Sequence, residues 1–243
     1  MIDHLGPFTV FELRRYTTKA GEQASFATYF ETYFPEAFQQ LGALVCGHFH
    51  ERGNAASFTW LRGYASMESR AVVNASFYYG PVWREHKATL NDRLVDWTNV
   101  LLLRPLGARG GVPVLPAVDP LREPDGARGL VFAHLFAVKA EALDDIARDA
   151  ETIFPAPADG GRAAGLLATL DAFNNFPQHP VRTDGPHVVW LCTFEDDAAL
   201  ARFLPTAHAA EKALAARGWL RSPAEQVILE PAHRSRLRWM PPQ

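Results

Sequence analysis

Two stretches of this chain repeat one another, and only the first keeps its charge. Phe58-Thr59-Trp60-Leu61-Arg62-Gly63-Tyr64 is followed by Ser66 and a helical pattern containing Arg70. Val188-Val189-Trp190-Leu191-Cys192-Thr193-Phe194 is followed by Asp196 and a helical pattern containing Arg202. Trp60 matches Trp190, Arg62 matches Cys192 and Tyr64 matches Phe194. Each half closes on a strand-like run ending in proline, Leu101-Leu102-Leu103-Arg104-Pro105 and Val227-Ile228-Leu229-Glu230-Pro231. The repeat predicts a scaffold of two copies of one unit, with a single chemically equipped site.

The periodicity within each half gives the unit. Residues 8–17 read as a strand, and a helix from about 24 to 41 shows an apolar stripe at Phe26, Tyr29, Phe30, Tyr33, Phe34, Ala37, Phe38 and Leu41. Pro35 within it predicts a kink or a split. A strand to about His50 and another over 57–65 precede a helix that Ser66 caps and Gly80-Pro81 interrupts. A last strand covers 98–104. Strand, helix, strand, strand, helix, strand is the split β-α-β arrangement of a ferredoxin-like unit. Four prolines and four glycines between Leu106 and Arg128 read as a linker. The pattern then recurs, with strands over 129–138, 164–173, 187–194 and 226–231 and helices over about 140–152 and 197–217. The expected division is 1–106, a linker over 107–128, and a diverged second unit over 129–243. A four-stranded ferredoxin-like sheet has helices on one face only, so its other face must be covered. The expected fold is therefore α+β, tandem ferredoxin-like βαββαβ units whose sheets pack face to face as an eight-stranded α/β barrel. One chain would make it as a monomeric pseudo-dimer, or two chains as a homodimer.

Bulk properties exclude several function classes. The chain has 243 residues, 48% of them hydrophobic and 21% charged, with a net charge of -3. No overall basic field recruits nucleic acid or anionic lipid. Only Cys46 and Cys192 occur, both in apolar strand-like runs, which argues against a disulfide framework and for a reducing compartment. The start, Met1 to Gly6, has no signal-peptide pattern, and no apolar run approaches the roughly 20 residues of a membrane span. The expectation is a cytoplasmic protein without nucleic-acid or membrane partners.

Five spaced motifs carry a resemblance. Phe11-Glu12-Leu13-Arg14-Arg15-Tyr16-Thr17, Trp60-Leu61-Arg62-Gly63-Tyr64, Met67-Glu68-Ser69-Arg70, Phe77-Tyr78 to Pro81-Val82-Trp83, and Asn99-Val100-Leu101-Leu102-Leu103-Arg104-Pro105 together resemble a NIPSNAP domain over about residues 8–105. The second half resembles the same fold weakly, through the Trp190 strand and Glu230-Pro231. The resemblance implies the dimeric α/β-barrel superfamily, whose members include cofactor-free oxygenases, haem-handling enzymes, isomerases and plain ligand-binding proteins.

Strand alternation assigns the candidate site. Glu12, Arg14 and Tyr16 share one face of the first strand, and Trp60, Arg62 and Tyr64 share one face of the third. With the apolar side of each strand given to the helices, these residues and Arg104 are expected to meet inside the barrel. One carboxylate against two or three guanidiniums suits a carboxylate, enolate or other oxyanion. In this reading Arg14, Arg62 and Arg104 bind the anion, Glu12 sets their geometry, and Tyr16 or Tyr64 transfers a proton. The matching second-half face is expected to carry Ala133, Leu135 and Ala137, with Cys192 and Phe194 completing an apolar wall. His48, Trp60 and Trp83 are further substrate-binding candidates, and the aromatics around Gly80-Pro81 are either a pocket entrance or ordinary packing. His48 and His50 form a His-x-His pair that could hold zinc or iron with a third ligand; the plainer alternative is a partly exposed pair at a strand end. His86 and His208 lie on the second helix of each half, where the superfamily has a haem precedent, and surface positions are the plainer alternative. His134 reads as a core histidine, and no cofactor is expected. The functional expectation is a small-molecule enzyme without organic cofactor, of isomerase, lyase or oxygenase type, acting on a hydrophobic substrate bearing an oxyanion. The alternative is a non-catalytic binding or adaptor protein whose buried ions serve assembly.

Overall fold

The computed structural model describes residues 7–107 and 110–241. Met1 to Gly6, on which the signal-peptide expectation rested, and Ala108 and Arg109 of the expected linker lie outside the described residues.

The first half contains β1 (Val10–Thr18), α1 (Gln23–Tyr33), α2 (Pro35–Gln40), β2 (Leu44–Glu51), β3 (Asn54–Tyr64), α3 (Met67–Tyr78), α4 (Pro81–Asn91) and β4 (Leu94–Pro105). The second contains β5 (Leu130–Ala137), a short turn of 3₁₀ helix (Ala140–Ala142), α5 (Leu143–Arg148), α6 (Ala150–Ile153), β6 (Gly161–Thr169), β7 (His187–Phe194), α7 (Asp197–Ala216) and β8 (Glu225–Pro231). Pro35 starts α2 at the break after Phe34, because its ring cannot continue a helix begun upstream. Gly80 breaks the next pair: a side chain there would run into the Ser76 carbonyl oxygen. Ser66 caps α3 in a reciprocal box with Ser69, and Asp196 caps α7 through the Ala199 amide.

The eight strands close into one barrel in the order β1-β3-β2-β8-β5-β7-β6-β4. Each half thus contributes four neighbouring strands in the same internal order. The halves meet at two antiparallel seams, β2 with β8 and β4 with β6. Arg15 ties the halves together by bonding Glu51 of β2 and Glu225 of β8.

The barrel interior is packed with apolar chains from both halves, including Phe11, Leu13, Leu61, Leu101 and Leu103 against Val131, Ala133, Leu135, Leu191 and Leu229. Two further cores lie outside it, one beneath the helices of each half. This reverses the expected facing of the first half. Val10, Tyr16, Phe58, Trp60 and Tyr64 pack against Phe26, Phe30, Phe38 and Phe77 of the helices, and Glu12, Arg14 and Arg62 share their face by alternation. The physical reason is the opposite barrel wall. It is almost entirely apolar, so an inward cluster of Glu12, Arg14 and Arg62 would find no further polar partners there, whereas the helix layer adds Arg70, the Tyr78 hydroxyl and the Phe38 ring face. The second-half wall also needs correction. Ala133 and Leu135 do face the barrel, but Cys192 and Phe194 lie on the other side of the sheet, in the core beneath α7 with Phe203.

Residues 110–128 form neither helix nor strand, yet the segment packs closely on the barrel. Val112 joins the barrel core, and Arg238 binds Glu123 and the Pro116 carbonyl. The last segment, which the sequence leaves unassigned, closes the same region: the Leu237 amide donates to the Cys46 carbonyl.

Candidate active site between the first-half sheet and its helices

Glu12 is the hub. Its side chain is fully buried and bonded to three guanidiniums: Arg14 Nη1 at 2.8 Å, Arg70 Nε at 2.7 Å, and Arg62 Nη2. Antiparallel register sets this up, since Glu12 lies directly opposite Arg62 and Arg14 opposite Trp60. Arg70 arrives from α3, one turn into the helix that Ser66 caps. Burial alone would raise the Glu12 pKa, but the fields of Arg62, Arg14 and Arg70 outweigh it and hold the carboxyl well below the usual range. Glu12 is therefore ionised throughout and above the ordinary glutamate range and serves as a counter-ion. One carboxylate facing three guanidiniums leaves the cluster with excess positive charge.

The guanidiniums also have donors to spare. Arg62 Nε, Arg70 Nη2 and Asn74 Nδ2 are buried without partners among the described residues. Aromatic faces take up part of the charge, with the Arg62 guanidinium 4.5 Å from the Phe38 ring centre and 4.9 Å from that of Trp60.

A cavity of about 140 Å³ adjoins this cluster. Phe30, Phe34, Phe38 and Phe77 form its apolar wall, and Trp83, Leu90, Asn91 and Trp97 lie toward α4 and the start of β4. Tyr16, Tyr78, Trp60 and His179 give it polar groups. Tyr16 Oη accepts from Arg14 Nε at 2.8 Å, and Tyr78 Oη accepts from Arg62 Nη1 at 3.4 Å. Each hydroxyl proton is thus free to donate elsewhere. Burial raises the Tyr16 pKa despite the neighbouring Arg14, so the hydroxyl keeps its proton. Trp60 Nε1–H is buried without a partner among the described residues. The guanidiniums themselves do not line the cavity; they sit behind the two tyrosines.

The remaining candidates disperse. Tyr64 is fully buried and donates to Asn74 Oδ1 at 2.9 Å, away from the cavity wall. Its pKa is raised far above the ordinary value by burial, which makes it a poor proton carrier. Among the described residues Arg104 is bonded to the Pro105 carbonyl and not to Glu12. His48 is 1% exposed rather than at an open strand end, and its Nε2 lies 3.0 Å from Glu31 Oε2. Among the described residues no group of three His, Cys, Asp or Glu side chains is placed to hold a metal ion, so His48 and His50 lack a third ligand there. His86 is half-buried, stacked on Tyr33 and bonded to Tyr29, while His208 is exposed. His134 is fully buried, as expected of a core histidine, though neither ring nitrogen has a hydrogen-bond partner among the described residues. Both cysteines are buried and free, and burial raises the Cys46 thiol pKa to about 12.

The second half supplies what the sequence reading missed. The connection from β6 to β7 crosses to the first half, where Asn174 and Asn175 accept from Arg70 Nη1 at 3.1 and 2.7 Å. His179 lies 3.3 Å from Arg14 Nη2 and stacks on Tyr78 with ring centres 3.9 Å apart. Arg70 carries a signal that could have exposed the true facing. On α3 it is one turn before Asn74, and both are buried with Val73 and Phe77 on the face against the sheet.

These features define a tandem dimeric α/β barrel with one polar unit and one apolar unit. Residues 11–107 match the sequence model of the NIPSNAP family. No curated protein matches the chain in sequence. Among solved structures, a candidate monooxygenase from Lactobacillus acidophilus NCFM is 12% identical, with a TM-score of 0.58 and coverage of 92% of this chain and 94% of that one. A candidate monooxygenase from Fusobacterium nucleatum is 8% identical, with a TM-score of 0.55 and 93% coverage of each chain. An anthrone oxidase-like protein is 14% identical, with a TM-score of 0.56 and coverage of 94% and 93%. At these identities the likeness is one of fold.

Proposed function

We propose that the first-half cavity binds a hydrophobic, single-ring molecule whose oxygen carries or acquires negative charge, and that it promotes cofactor-free chemistry at that molecule. The observation that carries the reading is the cavity's composition. Its buried wall is aromatic, its polar groups include spare donors, and a cluster with excess positive charge stands behind them. A volume of about 140 Å³ is close to that of an engineered cavity of roughly 150 Å³ that holds benzene.

The roles follow from the contacts. Tyr16 and Tyr78 donate to the substrate oxygen, as preorganised donors do where charge develops. Arg14 and Arg62 polarise those two hydroxyls from behind, and Glu12 fixes the arginines. Trp60 supplies a further N–H and, with Trp83, the flat walls. An enolate or phenolate that has released its proton to solvent and is held this way is the common starting point for isomerisation, elimination and direct reaction with oxygen. The solved structures named as candidate monooxygenases and as anthrone oxidase-like point to the last of these. A cytoplasmic setting is part of the proposal and agrees with two free cysteines; no helix among the described residues is long and apolar enough to cross a membrane.

The test is oxygen uptake with single-ring hydroquinones, together with their binding measured by quenching of tryptophan fluorescence. Uptake that Tyr16→Phe abolishes supports the enzyme. Binding without turnover favours a non-catalytic ligand-binding protein, a reading supported by the closure of Glu12 on its arginines away from the cavity. Absence of both contradicts the proposal.

A further inference from the structure

The apolar second half still serves the site, through one loop. Residues 170–186, between β6 and β7, reach over the first-half helices, and hydrogen bonds to the first half pin them there. The Arg182 amide donates to the Val100 carbonyl at 2.8 Å, Asn175 Nδ2 donates to the Met67 carbonyl at 2.6 Å, and Asn174 and Asn175 both bind Arg70. Asn174 Nδ2 also donates to the His179 carbonyl at 2.9 Å, which holds the histidine in place.

His179 is the only one of these residues that lines the cavity. A guanidinium can only donate, so Nδ1, facing Arg14 Nη2 at 3.3 Å, is the accepting nitrogen. The neutral ring then carries its proton on Nε2. Burial, with Arg14 and Arg62 nearby, lowers the His179 pKa to about 3, so the ring stays neutral at physiological pH. Stacking on Tyr78 and on Phe176 fixes the ring plane.

We infer that His179 is a ligand-contacting, specificity-determining residue, whose Nε2–H selects single-ring ligands bearing an acceptor oxygen over apolar ligands of the same shape. The inference rests on the proposed function, since it names the selectivity of that same cavity. It also assigns the second half a job: its loop completes a site whose remaining lining residues come from the first.

Benzaldehyde and toluene, nearly equal in shape, separate the two claims. Each is titrated calorimetrically into the wild type, His179→Asn and His179→Gln, with melting curves to confirm folding. The Asn side chain can still accept from Arg14 but lacks the far donor, whereas Gln can place an amide N–H near the lost position. His179→Asn is expected to weaken benzaldehyde about tenfold, the worth of one hydrogen bond, to leave toluene within about twofold, and to regain affinity in His179→Gln. Equal losses for both ligands, or no loss for either, overturn the role of His179 while leaving the cavity's ligand reading intact. A wild type that binds neither, or toluene alone, overturns both. Should the variants not fold, the wild-type ring is followed by ¹⁵N resonance. Its Nε2 signal is expected to shift with benzaldehyde and not with toluene, and an unmoved signal overturns the inference.

Discussion

The two halves of this barrel share strand order and register, yet their helix-facing surfaces are chemical opposites. Aligning Trp60 with Trp190 through the β1–β3 and β5–β7 ladders places Glu12 at the position of Phe132, Arg14 at His134, Tyr16 at Phe136, Arg62 at Cys192 and Tyr64 at Phe194. Counting from the capping residues Ser66 and Asp196 puts Arg70 at Leu200 and Asn74 at Leu204. The second half therefore shows how this fold closes the same space with mainly apolar side chains and one neutral histidine ring, His134. Ion clusters are not a requirement of the architecture, and the first half maintains a desolvated charge cluster that packing alone does not demand.

The comparison breaks most visibly at Glu12. Glu12→Gln leaves three buried guanidiniums without their carboxylate and is expected to lower stability by about 3–5 kcal/mol in urea denaturation. Cys192→Ala, at the position matching Arg62, is expected to cost only about 1 kcal/mol. The concerted change Glu12→Met, Arg14→Met, Arg62→Met and Arg70→Leu copies the apolar solution. It should recover most of the stability while losing ligand binding, and a collapse as deep as that of Glu12→Gln would show that the cluster is structural.

Acid titration sharpens the same contrast with smaller effects. His134, in the position of Arg14, has its pKa lowered to about 4 by burial and by nearby His208, and His179 has its pKa lowered to about 3. Both are neutral in the fold and near 6.5 when unfolded. Their contribution is complete above about pH 6.5 and is lost as pH falls from there toward the folded values, because the unfolded chain binds more protons. The slope is roughly 1.4 kcal/mol per pH unit for each ring, and His134→Phe should flatten it. Glu12 behaves otherwise: its contribution is complete above the ordinary glutamate range and falls away only below it. Stability measured from pH 7 to pH 4 distinguishes the two.

Tyr16→Phe comes next, with an expected loss of about tenfold in affinity for an oxygen-bearing ligand, the worth of one hydrogen bond. The matching Phe136→Leu should leave binding unchanged. A further contrast is between two arginines, one on each of the capped helices α3 and α7. Arg70→Ala is expected to cost about 2 kcal/mol or more, since Arg70 is fully buried on Glu12. Arg202 is exposed and, among the described residues, bonded to the Asp159 carbonyl alone, so Arg202→Ala should stay within about 0.5 kcal/mol.

Much of the architecture was legible because it is local. Pro35, Gly80 and Ser66 act within a turn of themselves, and period-two and period-3.6 patterns identify the strands and helices that build the barrel. The facing of β1 was not legible, because both of its faces are buried. Phe11 and Leu13 are as much at home in a barrel as against a helix, and the deciding fact was the apolar wall opposite, over a hundred residues away. Arg62, Arg14 and Glu12 were rightly grouped, but on the wrong side of the sheet. Arg104 was added to them by strand order alone and makes no contact with them. His179, Asn174 and Asn175 gave no signal, since their partners Arg14 and Arg70 are separated from them by 104 to 165 positions. No periodic pattern spans such a gap.

An oxygen-bearing aromatic ring held between the first-half sheet and its helices can be located by diffraction. In a crystal soaked with 4-bromophenol, bromine anomalous density is expected within the cavity bounded by Phe34, Phe77 and Trp83, with the phenol oxygen toward Tyr16 and Tyr78. Bromine density at the second-half cleft beside Trp190 and Phe154 instead, or a first-half cavity that stays empty, would contradict it.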